Sequence, residues 1–451
     1  MRISATALAV VLGIALIACG APVSAVEPPQ VVVGAAPPDG PPGPELPTKQ
    51  DKGCLAAGVL KDSDMSRVPP PELMLDLPRA RALSRGAGVT VAVIDTGVTP
   101  SSRLPGLAGG GDYVAAGGDG LSDCDAHGTL VAGIIGAATD PADAFSGVAP
   151  DARIISIRYR SGAFILDNPG KDSPDQTVLD LRALSRAIVH AANSGAGVIT
   201  VSLPICVKVG APIDQSILSA AIGYAVHVRG ALIVAGAGNT TAMGCEQNPD
   251  IDVTRPGDPR NWRDVKTVSA PGWFGSDVLT VGYTTATGAV MADSLTGPWV
   301  SVAAPGTAIE SLGPGSDSLI NGVGEPGKLV PVGGTSFAAA YVSGVAALLR
   351  SRFPNETPAE VMARLTASAH APARGLDNSV GAGMIDPLAA LSYRTPPQPP
   401  AGLYRSSVLP MPAPPRAKDI RPMITATAVI LAAVLLGLGA SRVNSAGRRR
   451  R

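Results

Sequence analysis

Short runs of valine and isoleucine alternate with helical patterns along the chain, and this alternation restricts the folds open to it. Four such runs are at residues 88–97, 152–159, 197–203 and 230–238. Each run is apolar at successive positions, which is typical of strands covered on both faces. Residues 180–195 and 215–230 show the spacing of amphipathic helices that end near Gly195 and Gly230. The repeated order predicts a doubly wound α/β domain, with a mostly parallel sheet and helices on both faces.

Two proline-rich stretches set the limits of the predicted domain. Residues 26–69 form an N-terminal arm, and its first half holds too much proline for a helix or a central strand. Residues 394–422 form a second stretch, which fits a semi-rigid linker. The folded domain is therefore predicted to span residues 70–393.

The N terminus carries a targeting pattern. Residues 1–25 contain an early arginine, an apolar stretch and small residues that end at Ala25, in the order typical of a secretory signal peptide. An uncleaved membrane anchor is one alternative, although the apolar run is short for a membrane span. Lipid attachment at Cys19 is the other. We expect the domain to be exported across a membrane.

The C terminus carries a second membrane pattern. Residues 423–440 are eighteen residues without a charge, just enough to cross a bilayer, and the arginine-rich tail at residues 441–451 follows. Basic residues favour the cytoplasmic side. We therefore expect a single-pass protein of the cell membrane, with an extracytoplasmic domain and a cytoplasmic tail. A buried core helix is the alternative, but the flanking proline-rich and basic segments disfavour it.

The cysteines agree with export. Four lie beyond the predicted signal peptide, at Cys54, Cys124, Cys206 and Cys245. An even number in an oxidising compartment predicts two disulfides, and the sequence alone leaves three pairings open. No CxxC pair and no calcium-loop pattern is present, so we expect no metal site.

Asp95 and His127 stand at positions that suit a catalytic pair. Asp95 lies near the end of the run at residues 88–97, and open α/β sheets place their ligand crevices at that end of a strand. His127 opens a segment of glycine, alanine and branched aliphatic residues, which predicts a buried helix with the imidazole at its start. The small residues should let this helix pack closely. Asp95 alone could equally be a turn former.

Ser336 follows two glycines and a threonine, and it precedes a long apolar helical pattern. A helix N-terminus offers free backbone N–H groups and positive dipole charge, which favour the oxyanion formed when a hydroxyl attacks a carbonyl. An N-cap is the simpler interpretation. Ala338 replaces the second glycine of a GxSxG motif, so a lipase-type turn is disfavoured.

The order of these residues along the chain is that of subtilisin: Asp, then His, then Ser. VAVIDTG, HGTLVAG and GTSFAAA resemble the signature motifs of the subtilase family, and GVAPDARIISIR, SVAAPGTAI and GAGMID extend the resemblance. It implies a subtilisin-like serine endopeptidase. In that family's mechanism Asp95 orients the base, His127 is the general base and Ser336 is the nucleophile.

The resemblance implies further site residues. It gives Asn239, in AGAGN, the role of oxyanion donor. The alternatives are a turn residue or a glycosylation acceptor. It also implies walls for the substrate pocket, namely Ser202, Leu203, Pro204, Gly236, Ala237 and Gly238. Ala340 departs from the family, which commonly carries proline four residues after the nucleophile, and this bears on the placement of Ser336.

Two glycine-rich stretches are not predicted to bind ligands. Residues 322–328 have the spacing of a phosphate loop but contain Pro326 and lack the following serine or threonine. Residues 108–120 are predicted to form a flexible surface loop. We expect no cofactor. The 36 basic and 36 acidic residues balance, so nucleic acid is not an expected partner.

The layout of the whole chain narrows the resemblance to the mycosins, the membrane-anchored subtilases of actinobacterial type VII secretion systems. LSDCDAHGTL, PGDPRNW and GTSFAAAYVSGVAALLR are similar to mycosin segments. The resemblance implies the pairs Cys54–Cys124 and Cys206–Cys245, and an arm that wraps the domain and is retained. It also implies secreted protein substrates and a secretion membrane complex as partner. The alternative is a mainly structural component of that complex, with proteolysis secondary.

Overall fold

The fold is taken from a computed structural model of the chain. It describes residues 26–34, 37–171, 173–240, 244–373, 375–392, 426 and 429–435. The chain divides into two units, Met1–Arg394 and Thr395–Arg451. Within the second unit, the described residues are helical and exposed.

The elements of the first unit are numbered from the N terminus. The described strands β1 to β16 are Thr48–Gln50, Ala56–Gly58, Thr90–Asp95, Leu107–Asp112, Arg153–Arg158, Phe164–Leu166, Val198–Val201, Ile205–Lys208, Leu232–Gly236, Thr267–Ala270, Val278–Thr284, Val300–Pro305, Ser311–Leu312, Leu319–Ile320, Gly322–Glu325 and Lys328–Pro331. The described α-helices α1 to α8 are Pro70–Met74, Leu77–Leu83, His127–Gly136, Gln176–Asn193, Ser216–Gly223, Thr335–Arg352, Pro358–Ala367 and Pro387–Ser392. A π-helix, Tyr224–Val228, follows α5 directly, and a short 3₁₀ helix is Trp262–Asp264.

A seven-stranded parallel sheet forms the centre of the first unit. Its strand order is β12-β11-β9-β7-β3-β5-β4. Successive residues of β3 enter different cores: Val91 and Val93 pack with α3 and α6, whereas Ala92 and Ile94 pack with α4 and α5. Burial on both faces explains why the strand is apolar at four successive positions, Val91 to Ile94. The predicted doubly wound α/β fold with helices on both faces is confirmed.

The long helix α6 fills one core. Its residues are buried from Thr335 through Leu349, and most of them are small. Close packing depends on this size, because a Cβ added at Gly344 would lie 2.5 Å from the Cβ of Val148. The helix runs without a break through Ala340, where a proline would remove a backbone donor.

The prediction of a flexible surface loop at residues 108–120 was wrong for its first part. Residues Leu107–Asp112 form β4, the edge strand of the large sheet, paired with β5. Glycine is required there by close packing and not by flexibility: a Cβ at Gly110 would lie 2.4 Å from the Ile155 side chain. When only composition is considered, a run of glycines like this one predicts a loop and not a strand.

The other glycine-rich stretch, residues 322–328, lies in the antiparallel hairpin of β15 and β16. Gly327 has a φ of 77° at the turn between them. The predicted helix at residues 215–230 is also present, although its second half is the π-helix. Gly195 and Gly230 have φ values of 79° and 69°, as expected for helix-ending glycines.

The arm is attached to the domain by strand pairing and by a disulfide. β1 pairs antiparallel with β6, and β2 pairs antiparallel with β15. Further toward the N terminus, the Val32 N–H donates to the Ser219 hydroxyl at 3.0 Å. Both implied disulfides, Cys54–Cys124 and Cys206–Cys245, are present.

Several predicted segments fall on residues that the structure does not describe. They are the signal peptide at residues 1–25, the linker at 394–422, the tail at 441–451 and most of the predicted membrane helix at 423–440. None of the helices in the described ranges is both long and apolar enough to cross a membrane.

Candidate active site

Asp95 is the last residue of β3 and has no solvent exposure. Its Oδ1 accepts a hydrogen bond from the Thr96 N–H at 2.7 Å. The chain turns away at Gly97, which has a φ of 99°. A Cβ at Gly97 would lie 2.1 Å from the Ser122 carbonyl oxygen, so this turn requires glycine. A carboxylate is thereby held at the carboxyl edge of the sheet.

His127 is the first residue of α3, and its Nδ1 lies 2.7 Å from Asp95 Oδ1. A Cβ at Gly128 would lie 2.1 Å from the Gly97 carbonyl oxygen. The predicted close packing beside His127 is therefore confirmed. The imidazole also lies near the ring of Phe337, and the centroids of the two rings are 5.2 Å apart. The imidazole is partly exposed, so it can contact both the buried Asp95 and a bound molecule.

Opposing effects act on the pKa of His127. Burial favours the neutral ring and lowers the pKa, but the charge and hydrogen bond of Asp95 favour the protonated ring. The charges of Asp123 and Asp125 act in the same direction as Asp95. Their sum outweighs burial, so the pKa of His127 is raised above 6.5.

Ser336 is the second residue of α6 and is almost fully buried. Gly334 precedes the helix with a φ of 140°. The Ser336 hydroxyl donates to the carbonyl oxygen of Ser202 at 2.8 Å. Ser202, predicted from the resemblance as a pocket wall, is thus in direct contact with the predicted nucleophile.

Asn239 follows β9 and lies against the start of α6. Its side-chain oxygen accepts from the Thr335 N–H at 3.1 Å, and its Nδ2 would be 3.0 Å from a Cβ at Gly334. The Gly238 N–H donates to the Thr335 hydroxyl at 3.1 Å. Two adjacent hydrogen bonds therefore fix the Asn239 segment to the helix that carries Ser336.

A cleft of about 1280 Å³ extends from His127 and Phe337. Of the predicted pocket walls, Leu203 lines this cleft, and its carbonyl oxygen accepts a hydrogen bond from the Tyr159 hydroxyl. Pro204, Gly236, Ala237 and Gly238 are buried and do not line it. The structure therefore brings one of the two predicted wall segments into the cleft, through Leu203.

Reasoning from the sequence missed Asp123, which connects the turn after Asp95 to the start of α3. Its carboxylate accepts from the Thr96 hydroxyl at 2.8 Å. It also accepts from the Thr129 N–H at 2.9 Å and the Thr129 hydroxyl at 2.7 Å. Burial raises the pKa of Asp123 to about 6, although these hydrogen bonds lower it. The signal in the sequence is an aspartate four residues before His127.

Metal binding has no support in the described ranges. Among these residues, no group of three or more histidine, cysteine, aspartate or glutamate side chains is arranged to hold a metal ion.

The fold and the order of the residues place this site in one class. Aspartate, histidine and serine follow one another in that order, as in subtilisin. Asp95 contacts His127 where β3 ends, and Ser336 contacts Ser202 just after the end of β7, so both contacts lie at the carboxyl edge of the parallel sheet. This arrangement defines a serine protease of the subtilisin type. A family model described as the subtilase family matches residues 86–383. The chain belongs to that family and, within it, to the mycosins.

Individual relatives support the narrower assignment. The chain is 46% identical over 426 residues to Mycosin-1 of Mycolicibacterium smegmatis, covering 93% of this chain and 94% of the relative. The crystal structure of MycP1 from Mycobacterium smegmatis matches with a TM-score of 0.79 at 46% identity, covering 85% of this chain and all of that one. A chain in the periplasmic assembly of the ESX-5 inner membrane complex matches with a TM-score of 0.79 at 48% identity, covering 86% and 100%.

Proposed function

We propose that the protein is a serine endopeptidase that cleaves secreted proteins outside the membrane, as part of a type VII secretion complex. The observation that carries the chemistry is the contact between Asp95 and His127, 2.7 Å apart, on a chain that presents the three residues in the subtilisin order. The similarity to a chain in the ESX-5 periplasmic assembly supports the partner and the side of the membrane.

The proposed reaction begins at Ser336. Its hydroxyl gives up the hydrogen bond to the Ser202 carbonyl oxygen and donates to Nε2 of His127 instead. His127 takes the proton as the serine oxygen attacks the carbonyl carbon of the peptide bond. Asp95 accepts from Nδ1 and stabilises the imidazolium. His127 then returns the proton to the leaving amine, and water hydrolyses the acyl-enzyme by the same steps.

The negative oxygen of the tetrahedral intermediate needs donors. Asn239 has its side-chain oxygen bound to the Thr335 N–H, which leaves the Nδ2 group as the donor. Ser336 lies in the first turn of α6, where the helix dipole adds positive charge. A donor fixed in this way typically contributes about 10²–10³ to turnover.

We expect the acid limb of the pH profile to lie above pH 6.5. His127 acts as a base only when it is neutral, so activity appears as the pH rises through its raised pKa. The measurement is kcat/KM against pH for a fluorogenic peptide. Asp125→Asn should move the limb to lower pH, because it removes one of the charges that raise this pKa. A limb below pH 6.5 would contradict the proposed environment of His127.

A mainly structural role in the secretion complex is the second candidate function, because a relative is found in such an assembly. Ser336→Ala compared with deletion of the gene separates the two. Processing that stops while secretion continues assigns proteolysis to Ser336 and a separate structural role to the chain. An alanine variant that restores both secretion and all processing shows the proteolytic proposal to be wrong.

We propose that residues 423–440 anchor the protein and that the tail at residues 441–451 lies in the cytoplasm. Eighteen uncharged residues followed by arginines support this arrangement. A chain ending at Tyr393 should move from the membrane fraction to the soluble fraction of washed cells. Cys19→Ser in the full chain should leave the protein in the membrane. A membrane-bound truncated chain would instead assign the anchor to the N-terminal segment.

A further inference from the structure

The cleft beside His127 is built partly by the N-terminal arm. Residues 44–46, Thr48, Lys49 and Leu55 line it, together with residues of β6 and of the β15–β16 hairpin. The arm therefore contributes to the surface next to the reacting residues.

The arm joins the two rims of this cleft. On one rim β1 pairs with β6, and the N–H groups of Asp51 and Lys52 both donate to the Ala163 carbonyl oxygen. On the other rim β2 pairs with β15 of the hairpin. The intervening residues cross between the rims, so the arm sets the spacing of the cleft walls.

The part of the arm between β1 and β2 is fixed close to His127. Cys54 is bonded to Cys124, and the Leu55 N–H donates to the Cys124 carbonyl oxygen at 2.8 Å. Cys124 is three residues before His127. A covalent bond and a hydrogen bond therefore hold the Leu55 backbone beside the loop that carries His127.

Three large apolar side chains around this cleft are exposed to solvent. Leu55 is 45% exposed, Ile165 44% and Val330 61%, and all three line it. They come from the arm, from β6 and from β16. A single exposed apolar side chain is ordinary, whereas a group of them from separate segments around one cleft marks a binding surface.

The charged side chains that line the cleft are already paired. Arg160 binds Asp180 at 2.8 Å, Arg186 binds Glu45 at 2.7 Å, and Lys49 binds Asp167 at 3.2 Å. Asp125 accepts from the Ser161 hydroxyl and the Gly162 N–H. Three of these charged groups are thus held in ion pairs and Asp125 is held by hydrogen bonds, so we take the exposed apolar side chains as the groups that recognise a ligand.

We propose that the arm is a permanent part of the substrate site, where Leu55, with Ile165 and Val330, selects polypeptides that carry a bulky apolar residue near the scissile bond. The occupant is an extended segment of the substrate, because the same cleft contains His127. This inference rests on the proposed proteolytic function. In an apolar subsite, one methylene group of the substrate is typically worth about tenfold or more in discrimination, so losing part of the subsite should cost at least about that much.

The test measures binding without hydrolysis. Full-length protein carrying Ser336→Ala is purified in detergent and titrated with fluorescein-labelled octapeptides of alanine and serine, in which one position at a time is leucine. The parent should favour leucine at one or two positions. Adding Leu55→Asn should lower that preference about tenfold, and Ile165→Asn, from the opposite rim, should lower it as well.

Val253→Asn is the matched control, because Val253 is 80% exposed and does not line the cleft. It should leave the preference unchanged. An unchanged preference in both cleft variants, an equal loss for every peptide, or no peptide binding to the parent would each overturn the inference. The Ser336→Ala protein cuts no bond, so this test measures recognition alone. Proteolysis is measured separately with the protein that retains Ser336, and the two proposals can therefore fail independently.

Discussion

Replacing Ser336 by alanine should lower kcat for peptide hydrolysis by roughly 10⁶, the size of loss that removal of the serine causes in subtilisin. The Ser336 hydroxyl is the proposed nucleophile that forms the acyl-enzyme, and its loss leaves the proposed oxyanion donors and the cleft in place. Some rate above the uncatalysed reaction should therefore remain. Initial rates on a fluorogenic peptide, with the full-length protein at equal concentration, measure the effect.

Ser343→Ala is the control that matches this change. Ser343 lies on the same helix, is fully buried, and its hydroxyl has no hydrogen-bond partner among the described residues. The chemical change is identical and the cleft is untouched, so kcat should stay close to that of the parent. A fluorophosphonate should label the parent and the control but not Ser336→Ala. Equal labelling of all three would place the nucleophile elsewhere.

Asp95→Asn should reduce kcat by about 10⁴, as the equivalent change does in serine proteases. Asp95 Oδ1 lies 2.7 Å from His127 Nδ1, and the group has no exposure to water. Oδ1 accepts from the Thr96 N–H and also contacts Nδ1, so asparagine cannot replace it without loss. An NH₂ at this place opposes the Thr96 N–H and holds the ring proton on Nε2, where the ring cannot accept from Ser336. An amide oxygen at this place lacks the negative charge that stabilises the imidazolium. The fold should be retained, because asparagine has nearly the same volume.

The pH profile distinguishes this mechanism from damage to the fold. Asp95 raises the pKa of His127 through its charge and its hydrogen bond. Its replacement should therefore move the acid limb of the residual activity to lower pH, which a structural defect would not do. An unshifted limb would mean that Asp95 does not act through His127.

Asp277→Asn is the matched control for this second prediction. Asp277 Oδ1 lies 2.5 Å from His227 Nε2, in a pair of the same kind. It precedes β11 and thus lies at the amino edge of the sheet, opposite the edge where Asp95 ends β3. Both kcat and the acid limb should be unchanged in this variant.

The sequence was most informative where chemistry and backbone geometry impose the same residues. Asp95, His127 and Ser336 could be predicted because their order along the chain and their flanking motifs resemble those of subtilases. Local geometry alone left a turn residue and a helix cap as alternatives for Asp95 and Ser336. The structure places the first two in contact and Ser336 against Ser202. Their catalytic roles remain predictions that the two variants above test.

Asp123 could not be predicted because its partners are known only after folding. Thr96 and Thr129 lie on opposite sides of the histidine segment, and neither has an unusual sequence context. The disulfide pairing was similarly undetermined by cysteine count, and it came from the family resemblance. Interactions between segments far apart in the chain leave little local trace.

The arm and β4 show a different limit. β1 and β2 are three residues each, too short for an alternating pattern to be recognised, and they are defined by the edges that they join. The glycines of β4 resemble those of a loop, although close contacts with Asp119, Ile155 and Pro42 require them. In both cases tertiary contacts determine the conformation more than local propensity does.

The position of α6 has a consequence for biosynthesis. This helix fills the middle of one core and also carries Ser336, the predicted nucleophile, and it begins at Thr335, after every strand of the large sheet. A chain halted before that point contains Asp95 and His127 but lacks Ser336, the proposed nucleophile. If Ser336 is the nucleophile, the proteolytic site is completed only after every strand of the large sheet has been made.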